Sequence, residues 1–122
     1  METQELIDRC DNFSIAIFVL CRKMENDFVG KILARQLVRS ASSMGSNLEE
    51  AQGAESKMDF IHKISISYKE ARESGYWLRL IKKGKILQED LLEKAIQERE
   101  ELSRIFASII RTSRKKLVKL SK

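Results

Sequence analysis

From Leu6 to Leu117 the apolar residues of this chain recur three and four positions apart, and no proline interrupts them. A proline inside a helix removes a hydrogen bond and costs about 3 kcal/mol, so a chain without one is free to run long helices. A period near 3.6 demands them, and strand alternation persists nowhere. The strongest stretch is Phe60, Ile64, Ser67, Ala71, Ser74, Leu78 and Ile81, which keeps a 4-3-4-3-4-3 rhythm. The spacing predicts an all-α protein.

Four helices are expected, over about 4–25, 28–52, 57–83 and 88–118, in one domain spanning residues 1–122. Leu6, Cys10, Phe13, Ile17, Leu20 and Met24 form the stripe of the first, and Asn26-Asp27 reads as a stop followed by an N-cap. Leu33, Leu37, Ala41, Met44, Leu48 and Ala51 mark the second, whose small centre, Ser40 to Ser43 with Gly45 and Ser46, suits a close helix crossing. Gly53 reads as a left-handed end, Ser56 to Asp59 as a capping box, and Gly84 as the close of the third helix. The fourth carries two adjacent apolar stripes, Leu91-Ala95-Leu102-Ile105-Ile109 and Leu92-Ile96-Phe106-Ile110-Leu117. Short connections make an antiparallel up-down-up-down four-helix bundle the economical arrangement, with a long single coiled coil as the competitor. The broad apolar face of the fourth helix suggests self-association.

With 43% hydrophobic and 34% charged residues, the chain is too apolar for a disordered tail and too charged for a membrane bundle. Its longest nearly apolar run, Ile15 to Cys21, is far shorter than the roughly 20 residues that span a bilayer. The start, Met1-Glu2-Thr3-Gln4-Glu5, is acidic where a secretory signal is basic, so a cytoplasmic protein is expected, with no membrane partner. Cys10 and Cys21 stand about three turns apart on a helix, too far for a disulfide, and read as small core residues.

Little chemistry is on offer. His62 is the only histidine; Asp59 and His62 make half of a di-iron helix motif, and a capping Asp59 with an exposed His62 is the preferred reading. There is no phosphate-cradling glycine loop, and no cofactor, metal or catalytic residue is assigned. Glu70 with Glu73, and Glu49 with Glu50, are better read as salt-bridge partners of Arg39, Lys69 or Arg72 than as catalytic pairs. The expectation is a non-enzyme.

Charge carries more. Residues 1–55 hold 6 basic and 9 acidic groups, whereas residues 56–122 hold 17 and 9, so the formal total of +5 conceals a front half of −3 and a back half of +8. Arg111, Arg114, Lys115, Lys116, Lys119 and Lys122 end the chain without an acid among them, a candidate phosphate-binding stripe. Against this stand the helix macrodipole, which favours cations at a C-terminus, and neutralisation by Glu2, Glu5, Asp8 and Asp11 of an antiparallel first helix. The tail has no interleaved aromatic residues.

The runs Arg39-Ser-Ala-Ser-Ser43, Asn47-Leu-Glu-Glu-Ala51, Ser56-Lys-Met-Asp-Phe60 and Lys69-Glu-Ala-Arg-Glu-Ser-Gly-Tyr-Trp-Leu78 occur in order. They resemble the bacterial four-helix-bundle family encoded in intervening sequences of large-subunit ribosomal RNA genes. The resemblance covers about residues 28–84 by motif and the whole chain by helix layout. It implies a homopentameric ring. The accessory variability protein of diversity-generating retroelements shares that fold, which adds RNA or DNA binding and a reverse transcriptase or other protein as implied partners. No catalytic residues come with it. Arg39, Ser42, Asn47, Glu50, Glu70, Glu73, Tyr76 and Trp77 fall in the shared motifs and are assigned to packing or subunit contact. The functional expectation is a homo-oligomeric bundle that binds nucleic acid through repeated basic tails, with a structural or protein-interaction scaffold as the alternative.

Overall fold

The computed structural model describes residues 1–121, with side chains through Leu120. They form four helices and no strand: α1 Thr3–Arg22, α2 Phe28–Gln52, α3 Lys57–Lys83 and α4 Asp90–Ser121. α1 ends at Arg22 rather than near position 25, because the N–H groups of Lys23 and Met24 reach back only three residues, to Leu20 and Cys21. That tightening satisfies the last carbonyls and turns Met24 into the core at 1% exposure.

Local chemistry starts α2 and α3. The Asp27 carboxylate accepts from the Gly30 N–H at 2.7 Å, an N-cap that contributes about 1 kcal/mol. Ser56 Oγ accepts from the Asp59 N–H at 3.0 Å, and the Asp59 carboxylate accepts from the Glu55 N–H at 3.2 Å, a capping box displaced by one residue. Neither glycine end is left-handed: Gly53 has φ −103° and Gly84 φ −76°. The left-handed residue is Lys85, at φ 57°. Its N–H donates to Lys82 O, and the Ile86 N–H donates to Ile81 O, the bond pair of a Schellman end. α4 starts at Asp90 rather than 88, because Ile86 and Leu87 turn inward against the core first.

Each helix packs on two others, α1 and α3 each lying between α2 and α4. The small centre of α2 allows both of its crossings. Toward α1, Ser14 Oγ donates to Ala41 O at 3.2 Å, and Gly45 lies against the Cys10 side chain. Toward α3, the Ser40 and Ser74 hydroxyls meet at 2.8 Å, and Ser67 Oγ donates to Met44 O at 2.8 Å. These three serines are fully buried, and their hydrogen bonds offset the cost of removing hydroxyls from water. The seam between α1 and α4 is held by ion pairs, Arg9 with Glu98 and Glu101, and Lys23 with Glu89.

The core runs through Ile17, Leu37, Met44, Ile64, Leu78, Leu102 and Phe106. Two expected stripe positions shift by one residue: Ile61 and Ala34 are buried, whereas Phe60 and Leu33 are half-buried at the rim. The two apolar stripes of α4 are buried against α3 and α1 at Leu92, Ala95, Leu102, Phe106 and Ile110 and half-buried at Leu91, Ile96, Ile105, Ile109 and Leu117, and Val118 and Leu120 are exposed near its end. Further exposed apolar side chains lie mainly on α1 and α2, where Ile15, Val19, Val29 and Ile32 are exposed and Phe28 is 83% exposed, with Met58 on α3. No helix among the described residues is long and apolar enough to cross a membrane.

Candidate functional site

The terminal cations are placed by the length of α4. Met1, Glu2 and Thr3 line a cavity of about 440 Å³ together with Ile105, Ser108 and Ile109, so α4 continues for about three turns beyond the start of α1. The acids of α1 therefore do not neutralise the tail: among the described residues, none of Arg111, Arg114, Lys115, Lys116 or Lys119 has an ion-pair partner. All five are exposed. Lys122 lies outside the described residues. The stripe divides between two surfaces: Lys116 lines a cavity of about 640 Å³ with Lys57 and Phe60, while Arg111 and Arg114 turn toward α3.

On that second side they join cations that the sequence reading did not assign. Arg111 and Arg114 line a groove of about 550 Å³ with Tyr68, Lys69 and Arg72. Arg72 continues into a neighbouring cavity of about 470 Å³, shared with Tyr76, Arg79 and Arg99. None of Lys69, Arg72, Arg79 and Arg99 has an acidic partner among the described residues, whereas Lys82 on the same edge is held by Glu93 at 3.0 Å. Aromatic rings are interleaved here: the Arg72 guanidinium stands 6.0 Å from the Tyr68 ring and that of Arg79 5.3 Å from the Tyr76 ring. Burial pushes the pKa of Arg99 below its ordinary value; Arg104, Arg72 and Arg79 add to that, and Glu100 opposes it. The signal is in the sequence as Tyr68, Arg72, Tyr76 and Arg79, three and four apart on one helix face with Lys69 beside them, but the run of adjacent charges at the end of the chain is easier to see.

The shared-motif residues sort mostly to the joint of α2 with α3. Arg39 on α2 pairs with Glu70, at 3.2 Å, and with Glu73, while Glu50 pairs with Lys63 at 3.3 Å. Burial raises the pKa of Glu70 above the usual carboxylate value, against the opposing pull of Arg39. Ser42 Oγ and Asn47 Nδ2 donate to carbonyls of their own helix, Val38 and Ser43. Tyr76 and Trp77 touch edge to face at 4.9 Å, and the half-buried Trp77 has an indole N–H closed to solvent without a partner among the described residues. His62 is exposed, and no group of three or more His, Cys, Asp or Glu side chains able to hold a metal ion occurs among the described residues.

Comparison with protein families matches residues 2–108 to the 23S rRNA-intervening sequence protein. A search of curated proteins finds no match. Among solved structures, the fold is similar to that of a protein of unknown function from the S23 ribosomal protein family of Bacteroides thetaiotaomicron, with a TM-score of 0.80 and 31% identity. The alignment covers 86% of this chain and 97% of the other.

Proposed function

This chain belongs to the 23S rRNA-intervening sequence protein family, and from that premise we propose that it is a non-enzymatic, homo-oligomeric helical bundle that binds RNA or DNA along its basic α3–α4 face. The observation that carries the reading is the set of cations without acidic partners among the described residues, Lys69, Arg72, Arg79, Arg99, Arg111 and Arg114, gathered around Tyr68 and Tyr76. Cations track phosphates, and tyrosine rings accept stacked bases. In this reading the helices run up-down-up-down, and the exposed apolar residues of α1 and α2 are the subunit contact of a pentameric ring. Repetition of the face around the ring joins weak contacts into strong ones. Should assembly leave Phe28, Val29 and Ile32 uncovered, the alternative scaffold role gains a surface for a protein partner, a reverse transcriptase or another, by the same analogy.

Fluorescence anisotropy with a labelled, structured RNA tests the binding. Affinity is expected at about 50 mM salt and a steep fall toward about 200 mM, since each neutralised phosphate adds about 0.9 to the slope on a duplex. Changing Lys69, Arg72, Arg111 and Arg114 together to Gln is expected to weaken binding at least about tenfold, and changing the exposed α2 pair Lys31 and Arg35 to have little effect. No binding at the lower salt rejects the nucleic-acid reading.

A further inference from the structure

Gly75 sits in the interior of α3, where glycine is a poor helix former. Its reason lies on α4: a Cβ at this position would come within 2.6 Å of Cζ and 2.7 Å of Nε of Arg99. The glycine makes room for a guanidinium laid against the backbone of α3. Arg99 Nε is closed to solvent and has no hydrogen-bond partner among the described residues. Of the acids nearby, Glu93 is engaged with Lys82 at 3.0 Å, and Glu100, 4.0 Å from Arg104, lines the cavity as its one carboxylate against Arg72, Arg79, Lys82 and Arg99. Arg72 and Arg79 line the same cavity from α3. Three guanidiniums lining one cavity, none with an ion-pair partner among the described residues, are an arrangement that gains when an anion enters.

We propose that this notch seats one phosphate group of an RNA or DNA strand. Arg99 supplies the floor, Arg72 and Arg79 the flanks, and the exposed Tyr76 ring at the rim receives a neighbouring base. The proposal rests on the nucleic-acid reading and adds to it a fixed point, where shape as well as charge selects the ligand. A free nucleotide offers the same phosphate chemistry, so the test has two arms.

In the first arm, a single-stranded RNA oligonucleotide is titrated by anisotropy against the full chain and its Arg99→Gln and Gly75→Ala variants. Both variants are expected to bind about tenfold more weakly, and Arg99→Gln to lower the salt slope by about 0.7, the value of one phosphate on a single strand. Gly75→Ala is the sharper variant, because it displaces Arg99 while leaving every charge in place. Wild-type affinity in a folded Gly75→Ala protein overturns the seat and leaves the broader basic face standing. If that variant does not fold, Arg99→Lys replaces it, keeping the charge and losing the fork; full affinity then overturns the seat equally. In the second arm, thermal melting is followed with inorganic phosphate and pyrophosphate. A shift that depends on Arg99, without RNA binding in the first arm, overturns the strand as the ligand of this seat, while the broader nucleic-acid reading is decided by the structured-RNA titration. Absence of both RNA binding and an Arg99-dependent shift overturns the seat altogether.

Discussion

Cys10 and Cys21 are 1% and 9% exposed, and Cys21 Sγ donates to the Ala34 carbonyl at 3.7 Å. Burial pushes their thiols up to about 12 and about 11. An unfolded cysteine ionises near 8.5, so the folded state keeps these protons longer. The stability this contributes is present in full below about pH 8.5 and is lost as pH rises through the folded values, at a limit of about 1.4 kcal/mol per pH unit for each thiol. Urea unfolding of the wild type and of the Cys10→Ala, Cys21→Ala double variant between about pH 7.5 and 10 should therefore give curves that converge at the alkaline end. A constant gap would contradict the burial. Such core residues were legible as members of an apolar stripe. Arg99 was not, because its environment depends on Gly75, which only the register between two helices brings beside it.

At the scale of the element, the helix starts were easier to read than the ends. Asp27 and Ser56 act through side chains that accept hydrogen bonds within their own turn, so their identity is visible in the sequence. The end of α3 is different. Glycine is the ordinary marker of a left-handed residue, yet the chain places Gly84 one position early and puts Lys85 at φ 57°. A side chain there costs about 1 kcal/mol relative to glycine, an order set by the crowding of Cβ against the carbonyl. Lys85→Gly is expected to raise the urea midpoint by about that free energy without changing the denaturant slope. An unchanged or lowered midpoint would mean that the Schellman end is not formed. Position 85 escaped the sequence reading because a Schellman end is defined by where the backbone carbonyls fall, and a lysine near a helix C-terminus already has a dipole reason to be there.

For the whole molecule, the exposed apolar surface is where the proposed subunit contact is tested. Two stripes side by side on α4 suggest self-association, and α3 and α1 bury one half of their residues while leaving Leu91, Ile96, Ile105, Ile109 and Leu117 half-buried. On α1 and α2 the exposed apolar residues are Ile15, Val19, Phe28, Val29 and Ile32, which break up the regular stripes of those helices and so are hard to separate from them. Phe28→Glu with Ile32→Glu should lower the mass measured by sedimentation, while the helical circular dichroism signal stays unchanged. Assembly that survives both substitutions would move the subunit contact off this face. The sequence by itself determined four helices, most of their bounds and most inward positions, because a 3.6-residue period and its caps are local properties of the backbone. The tertiary structure decided which charges remain unpaired. A 32-residue α4 carries its terminal cations past the acids of the 20-residue α1, and the α3–α4 crossing sets Arg99 against Gly75 beside Arg72 and Arg79. Pairing of charges depends on distance through space, and the distances between helices follow from how their side chains pack together.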